Sequence, residues 1–90
     1  MQDKLENSKK ILQKALAEVV RENRLVKGKS IHAISAEIMM SKSIWQALET
    51  AKKDPQFSTI WRVSEALEIP LEKLIQMIKA KLGEDFTLID

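Results

Sequence analysis

The sequence predicts an all-α fold, in which residues 1–83 form one compact five-helix domain and residues 84–90 form a short tail. Apolar residues recur every three or four positions in five segments, which is the period of a helix with one buried face. The two glycines and two prolines lie between these segments or at their ends, where they stop helices. Before the tail, no segment alternates apolar and polar residues as a half-buried strand would.

The helix boundaries follow from capping residues and helix breakers. The five helices are expected over residues 8–25, 31–39, 42–50, 58–68 and 71–82. Ser8, Ser30 and Ser41 stand at the starts of helical patterns, where a hydroxyl oxygen can accept from the first backbone N–H groups. The tail places the apolar residues Phe86 and Leu88 two positions apart, which predicts a short strand or an arm that packs on a partner.

The buried faces of the helices follow from the same spacing. The expected inward-facing residues are Ile11, Leu12, Ala15, Leu16, Val19 and Val20 in the first helix, Ile60, Val63, Ala66 and Leu67 in the fourth, and Leu71, Leu74, Ile75, Ile78 and Leu82 in the fifth. In the third helix, Trp45 and Leu48 are expected to point inward. Trp45 should therefore pack against apolar side chains of the second and fourth helices.

The composition excludes several functional classes. The 90 residues include no cysteine, which rules out disulfides and fits a reducing cytoplasm. His32 is the single histidine, so we expect an exposed imidazole and no metal site. No run of about 18 apolar residues is present, so we expect no membrane span. Carboxylates such as Asp54 and Glu65 lack an accompanying nucleophile, phosphate loop or cofactor motif, which predicts a solvated acidic face, no cofactor and no enzymatic activity.

The distribution of charge says more than the net charge of +2. Residues 21–53 carry seven basic and three acidic side chains, whereas residues 54–90 carry four basic and seven acidic ones. The excess positive charge therefore lies in the part of the chain that contains the second and third predicted helices. A basic segment attracts phosphate, and the acidic C-terminal part is expected to face away from it.

Residues 30–75 carry a long ungapped pattern of caps, core positions and breakers. Its members are Ser30, Ile34, Ser35 and Ile38 in the second helix, Ser41, Trp45, Leu48 and Glu49 in the third, the loop Lys52-Lys53-Asp54-Pro55, and the run Ala66-Leu67-Glu68-Ile69-Pro70-Leu71. In this pattern the chain resembles the Cro and phage-repressor helix-turn-helix family, the XRE-type regulators. The resemblance implies a lambda-repressor-like domain that binds double-stranded DNA as a homodimer and regulates transcription. Residues 42–50 would be its recognition helix.

Candidate contact residues follow from the resemblance and the helical spacing. The candidate base contacts are Lys42, Ser43, Gln46 and Ala47, of which alanine can offer only a methyl contact to thymine. The candidate phosphate contacts are Ser41, Thr50, Lys52, Lys53, Lys27 and Lys29, whose hydroxyl and ammonium groups can donate to phosphate oxygens. For Ile44 two hypotheses stand, contact with the sugar–phosphate wall or local packing. The resemblance implies that Glu49 ties the end of the third helix to neighbouring backbone or to a basic residue.

Three positions depart from the family pattern. Met39, in the turn between the second and third helices, and Ala51, after the recognition helix, stand where the family usually has glycine. A positive φ at Met39 would carry a steric cost that glycine avoids. Ile31 stands where the family often has a glutamine that donates to phosphate, and the isoleucine side chain has no donor.

Apolar residues outside the predicted core point to protein contacts. Trp61 lies off the main stripe of its helix, and Phe86, Leu88 and Ile89 give the tail an apolar character. We expect these four residues and the fifth helix to form a dimer interface, because exposed apolar segments favour a partner. The alternative function is a helix-turn-helix module used mainly for protein–protein contact, such as an antitoxin-like component. The apolar Ile44 and the lack of arginine or asparagine on the recognition helix motivate it.

Overall fold

A computed structural model describes residues 2–89 and confirms the all-α class. The helices in chain order are α1 (Gln2–Val26), α2 (Ile31–Glu37), α3 (Lys42–Glu49), α4 (Phe57–Leu67) and α5 (Leu71–Leu82). Residues 2–89 contain no strand, so the prediction of a short strand in the tail is wrong for residues 84–89. Asp90 lies outside the described residues. None of the five helices has the length and apolarity that a bilayer crossing requires.

The first helix begins at Gln2, not at residue 8. Ser8 therefore lies inside α1, and the prediction that it caps the helix is wrong. The segment before Ser8 is rich in good helix formers, and Asp3 in the first turn complements the positive end of the helix. No glycine or proline separates this segment from the amphipathic part of α1, so the helix extends through it.

The two predicted serine caps at the starts of α2 and α3 are confirmed. The Ser30 hydroxyl oxygen accepts from the Ala33 backbone N–H at 3.0 Å, at the start of α2. The Ser41 hydroxyl oxygen accepts from the Ile44 backbone N–H at 3.3 Å, at the start of α3. Each serine is extended, with ψ of 163° at Ser30 and 145° at Ser41, so each fixes the point at which the chain enters its helix.

The turn between α2 and α3 places a non-glycine residue in the left-handed region. Met39 has φ of 55° and is 92% exposed, and α2 ends at Glu37 instead of residue 39 because the chain leaves helical geometry there. Ala51, directly after α3, has φ of 56°. The positive φ at Met39 carries a steric cost of about 1–2 kcal/mol, because methionine has a Cβ atom. The Ser35 carbonyl accepts from the Met40 N–H at 2.9 Å and closes the turn.

One hydrophobic core joins the helices, with α1 packed mainly along α3 and α5. The side chains that are almost fully buried are Val19, Val20, Ile34, Trp45, Val63 and Leu74. Trp45 and Leu48 point inward as predicted, with the half-buried Ile38 and Ile60 packed against the same core. Two stripe assignments are wrong: Ile11 is 55% exposed, and Ile75 lies at the surface.

The tail folds back over the helices of its own chain. Gly83 has φ of 88° and ψ of 168°, a conformation almost restricted to glycine, and it turns the chain out of α5. Phe86 is half-buried and, together with Leu12 and Leu82, lines an apolar cleft of 310 Å³ between α1 and α5. Leu88 and Ile89 remain exposed.

Candidate nucleic-acid interface

A buried polar network fixes the position of α3. The Arg24 guanidinium on α1 donates to the Glu49 carboxylate twice, from Nε at 2.6 Å and from Nη2 at 2.9 Å. The Trp45 indole Nε1 also donates to Glu49, at 2.6 Å, and Arg24 Nη1 donates to the Lys29 carbonyl at 2.8 Å. The two charged side chains are only 11% and 5% exposed. Donation of these hydrogen bonds to the Glu49 carboxylate raises the pKa of Arg24 above its ordinary value.

This network gives Glu49 the structural role that the resemblance implied. Its partner, Arg24, was not predicted, although the sequence contains a signal for it. Arg24 follows the buried Leu16 and Val20 at intervals of four, so it continues the inward stripe of α1. A charged side chain on a buried stripe requires a counter-charge, and Glu49 supplies it.

The four candidate base-contact residues share the outward side of α3, opposite Trp45 and Leu48. We call this side the α3 outer face; it consists of Lys42, Ser43, Gln46 and Ala47. The first three are exposed and Ala47 is half-buried. The network holds the inward side of α3 rigidly, so the outer face is presented as a fixed surface.

Ile44 lies on the flank of α3 that faces the start of α4. Its side chain is 49% exposed, and it lines a groove of 530 Å³ together with Ser43, Ala47, Pro55 and Thr59. Half-exposure leaves an apolar surface open to a partner. Local packing and contact with a sugar–phosphate wall therefore both stay predictions for this side chain.

The candidate phosphate contacts next to α3 are two hydroxyl side chains, which form hydrogen bonds within the chain, and two exposed lysines. The Ser41 hydroxyl caps α3 and lies 3.2 Å from the Ser43 hydroxyl. The Thr50 hydroxyl donates to the Gln46 carbonyl at 2.9 Å, so its proton is already engaged. Lys52 and Lys53 are exposed, and neither forms an ion pair with a carboxylate within residues 2–89. Their charges are therefore the ones available to an anion beside the outer face.

Lys27 and Lys29 are engaged with carboxylates of their own chain. The Lys27 ammonium pairs with Glu68, and the Lys29 ammonium lies 2.7 Å from Glu37. The hydrogen bond from Lys27 lowers the pKa of Glu68 below its ordinary value. Both carboxylates are at the surface, so these pairs are weak and solvent-screened. Lys27 and Lys29 nevertheless differ from Lys52 and Lys53, because a carboxylate compensates the charge of each.

Arg62 is a basic residue near the turn between α2 and α3, and no prediction from the sequence included it. Its guanidinium Nη2 donates to the carbonyl of Ile38, the residue that follows α2. Carbonyls at the C-terminal end of a helix lack a partner within the helix, and Arg62 supplies one here. The two residues are 24 positions apart, so no local pattern could have revealed the contact. Arg62 ties α4 to the turn that precedes α3.

An apolar surface lies on α4 and α5. We call it the Trp61 surface; it consists of Phe57, Trp61 and Ile75, all exposed. The rings of Phe57 and Trp61 meet edge to face, with centroids 6.0 Å apart and planes at 89°. Ile75 lines both the groove beside Trp61 and the apolar cleft that contains Phe86 and Leu88. The dimer candidates on α4 and in the tail thus lie on either side of Ile75.

No family model, curated protein or solved structure matches the chain. Among residues 2–89, no group of three or more histidine, aspartate or glutamate side chains is arranged to hold a metal ion. The geometry of α3, its basic loop and the Trp61 surface are therefore the observations on which a function must rest.

Proposed function

We propose that this protein binds double-stranded DNA in a sequence-specific manner and acts as a small transcriptional regulator of the Cro/repressor type. One observation carries the proposal. The short helix α3 presents a polar outer face beside two lysines with uncompensated charge. Ser41 caps this helix, and the Arg24–Glu49–Trp45 network fixes its inward side. A recognition helix needs both a rigid mounting and a solvent-exposed face that fits the major groove.

The side chains of the α3 outer face have chemistry that suits base edges. Lys42 can donate to the O6 and N7 acceptors of guanine, and Gln46 can form a two-bond contact with N7 and N6 of adenine. Ser43 can donate to or accept from several edges. Lys52 and Lys53 supply contacts to phosphate, which add affinity without reading sequence.

The proposal includes a homodimer formed through the Trp61 surface and α5. Exposed aromatic side chains at helical spacing bury apolar area when two copies meet around a twofold axis. Phe86 is half-buried against its own helices, so Leu88 and Ile89 are the tail residues free to extend this interface. A twofold dimer would place two copies of α3 in successive major grooves, about 34–36 Å apart.

Selection of bound duplexes from a random DNA pool tests this proposal. We expect enrichment of a near-palindromic sequence whose half-sites lie about one helical turn, 10–10.5 base pairs, apart. Enrichment of a single, non-repeated half-site would contradict the dimer but not DNA binding. A pool that remains random after repeated rounds at low salt would contradict sequence-specific binding.

A second candidate function is a helix-turn-helix module that binds another protein. The Trp61 surface favours it, because Phe57, Trp61 and Ile75 form an exposed apolar cluster on one side of the molecule. Such a module would use this cluster without needing the charge of Lys52 and Lys53. The same selection experiment separates the two functions, since a protein-binding module gives no enriched DNA sequence.

A further inference from the structure

We infer that the flank of α3 formed by Ile44 and Ala47 reads the 5-methyl group of thymine. This inference rests on the proposed function, and it names the base that one part of the interface recognises. The contact site is the groove of 530 Å³ between α3 and the start of α4, which we call the methyl groove; it is lined by Ser43, Ile44, Ala47, Pro55 and Thr59.

The outer side of α3 is divided lengthwise into a polar and an apolar edge. Lys42 and Gln46 are four residues apart and therefore share one edge. Ser43 and Ala47 share the centre, and Ile44 lies on the opposite edge, above the buried Leu48. Hydrogen-bond donors and acceptors are thus concentrated on one edge, and aliphatic carbon on the other.

The methyl groove has an apolar part, formed by Ile44, Ala47, Leu48 and Pro55, that can receive a small apolar group. Its other lining residues are polar or charged: Ser43, Lys53, Asp54, Gln56 and Thr59. Ile44 is 49% exposed on one wall, and the ring of Pro55 and the methyl-bearing Thr59, both half-buried, form the other. Lys53 and Asp54 also line the groove, and Lys53 is a candidate phosphate contact. An apolar wall next to a phosphate-binding cation matches the arrangement of a thymine methyl, which projects into the major groove beside the sugar–phosphate backbone.

Thymine is the base that fits this chemistry. In the major groove of unmodified DNA, thymine is the base that presents a methyl group, and the hydrogen-bonding atoms of the other bases are nitrogen and oxygen. Placing guanine or cytosine edges against Ile44 would leave their polar atoms without partners. The neighbouring polar edge, with Gln46, suits an adenine on an adjacent base pair.

Replacing thymine by deoxyuridine removes this methyl group without changing base pairing, so it isolates the inferred contact. Starting from a duplex obtained by the pool selection, each thymine of one half-site is replaced in turn and the dissociation constant is measured. We expect about a fourfold weaker affinity at one or two positions, the change that corresponds to one buried methyl group. The other thymine positions should show no change.

Variants of Ile44 identify the side chain that makes the contact. In Ile44→Ala the fourfold preference for thymine over deoxyuridine should fall to about one at the sensitive position, and in Ile44→Val it should be intermediate. The matched control is Ile11→Ala, the same truncation of a similarly exposed isoleucine on α1. This control should keep the full preference. Thermal unfolding of each variant checks that it is folded.

The outcomes distinguish this inference from the proposed function. If deoxyuridine has no effect at any position while the unmodified duplex still binds, the methyl contact is wrong and DNA binding stands. If the preference persists in Ile44→Ala, the assignment to this flank of α3 is wrong. If no duplex binds at all, both the inference and the proposed function are wrong.

Discussion

Replacing Glu49 with alanine is expected to lower the free energy of unfolding by about 3–5 kcal/mol, the usual cost of removing one partner of a buried ion pair. The substitution leaves the Arg24 guanidinium, which is 11% exposed, without its carboxylate, and it removes the acceptor of the Trp45 indole. Urea denaturation followed by circular dichroism measures the change. The pKa of Arg24 is raised, so the stabilisation linked to its charge is present at neutral pH and is lost as pH rises through that elevated pKa.

A surface ion pair provides the control for this prediction. Glu22 accepts from the Lys81 ammonium at 2.9 Å and is mostly exposed, so Glu22→Ala should cost less than about 1 kcal/mol. Glu49→Gln should fall between the two, because it keeps an oxygen for Trp45 but loses the charge that Arg24 requires. Equal destabilisation by Glu49→Ala and Glu22→Ala would show that the network does not hold α3 in place.

Replacing Ala47 with glutamate is expected to weaken duplex binding by at least about a hundredfold, since a like charge within an interface costs several kcal/mol. The new carboxylate would stand at the centre of the α3 outer face, between the phosphate walls of the major groove. Ala47 is half-buried at the helix surface, and glutamate is a good helix former, so the fold should be retained. Fluorescence anisotropy with the selected duplex measures the loss of affinity.

The matched control for Ala47→Glu is Ala80→Glu. Ala80 is an exposed alanine on α5, away from the α3 outer face. Because α5 belongs to the proposed dimer interface, sedimentation checks that this variant keeps its oligomeric state. The same change of charge at Ala80 should alter duplex affinity by no more than a few-fold, through the net charge alone. Equal loss of affinity in the two variants would mean that α3 does not enter the groove.

The parts of the fold that the sequence predicted well are those that local chemistry determines. Ser30 and Ser41 cap their helices as expected, and α5 runs over residues 71–82 because Pro70 and Gly83 bound it. The start of α1 was wrong because Ser8 carries a capping signal within a segment that has no helix breaker. An N-terminal capping residue marks the start of a helix only where the residues before it cannot themselves be helical.

The candidate site, too, was predictable where it depends on local sequence and not where it depends on contacts between distant residues. The four residues of the α3 outer face share one side because the helical period places them there. The pairing of Lys27 with Glu68 joins residues 41 positions apart, and the pairing of Arg24 with Glu49 joins residues 25 positions apart. Such contacts depend on how α1 packs against the other helices, which local patterns do not specify. The sequence therefore identified four lysines as candidate phosphate contacts without showing which of them keep an uncompensated charge.

The salt dependence of duplex affinity tests the central claim most directly. If Lys52 and Lys53 of both protomers neutralise four phosphates, a plot of the logarithm of the association constant against the logarithm of salt concentration should have a slope of about −4. Affinity should then fall by roughly 250-fold between 50 and 200 mM salt. An affinity that does not change with salt, or an absence of duplex binding at 50 mM salt, would contradict the proposal that this protein binds DNA through α3 and its basic loop.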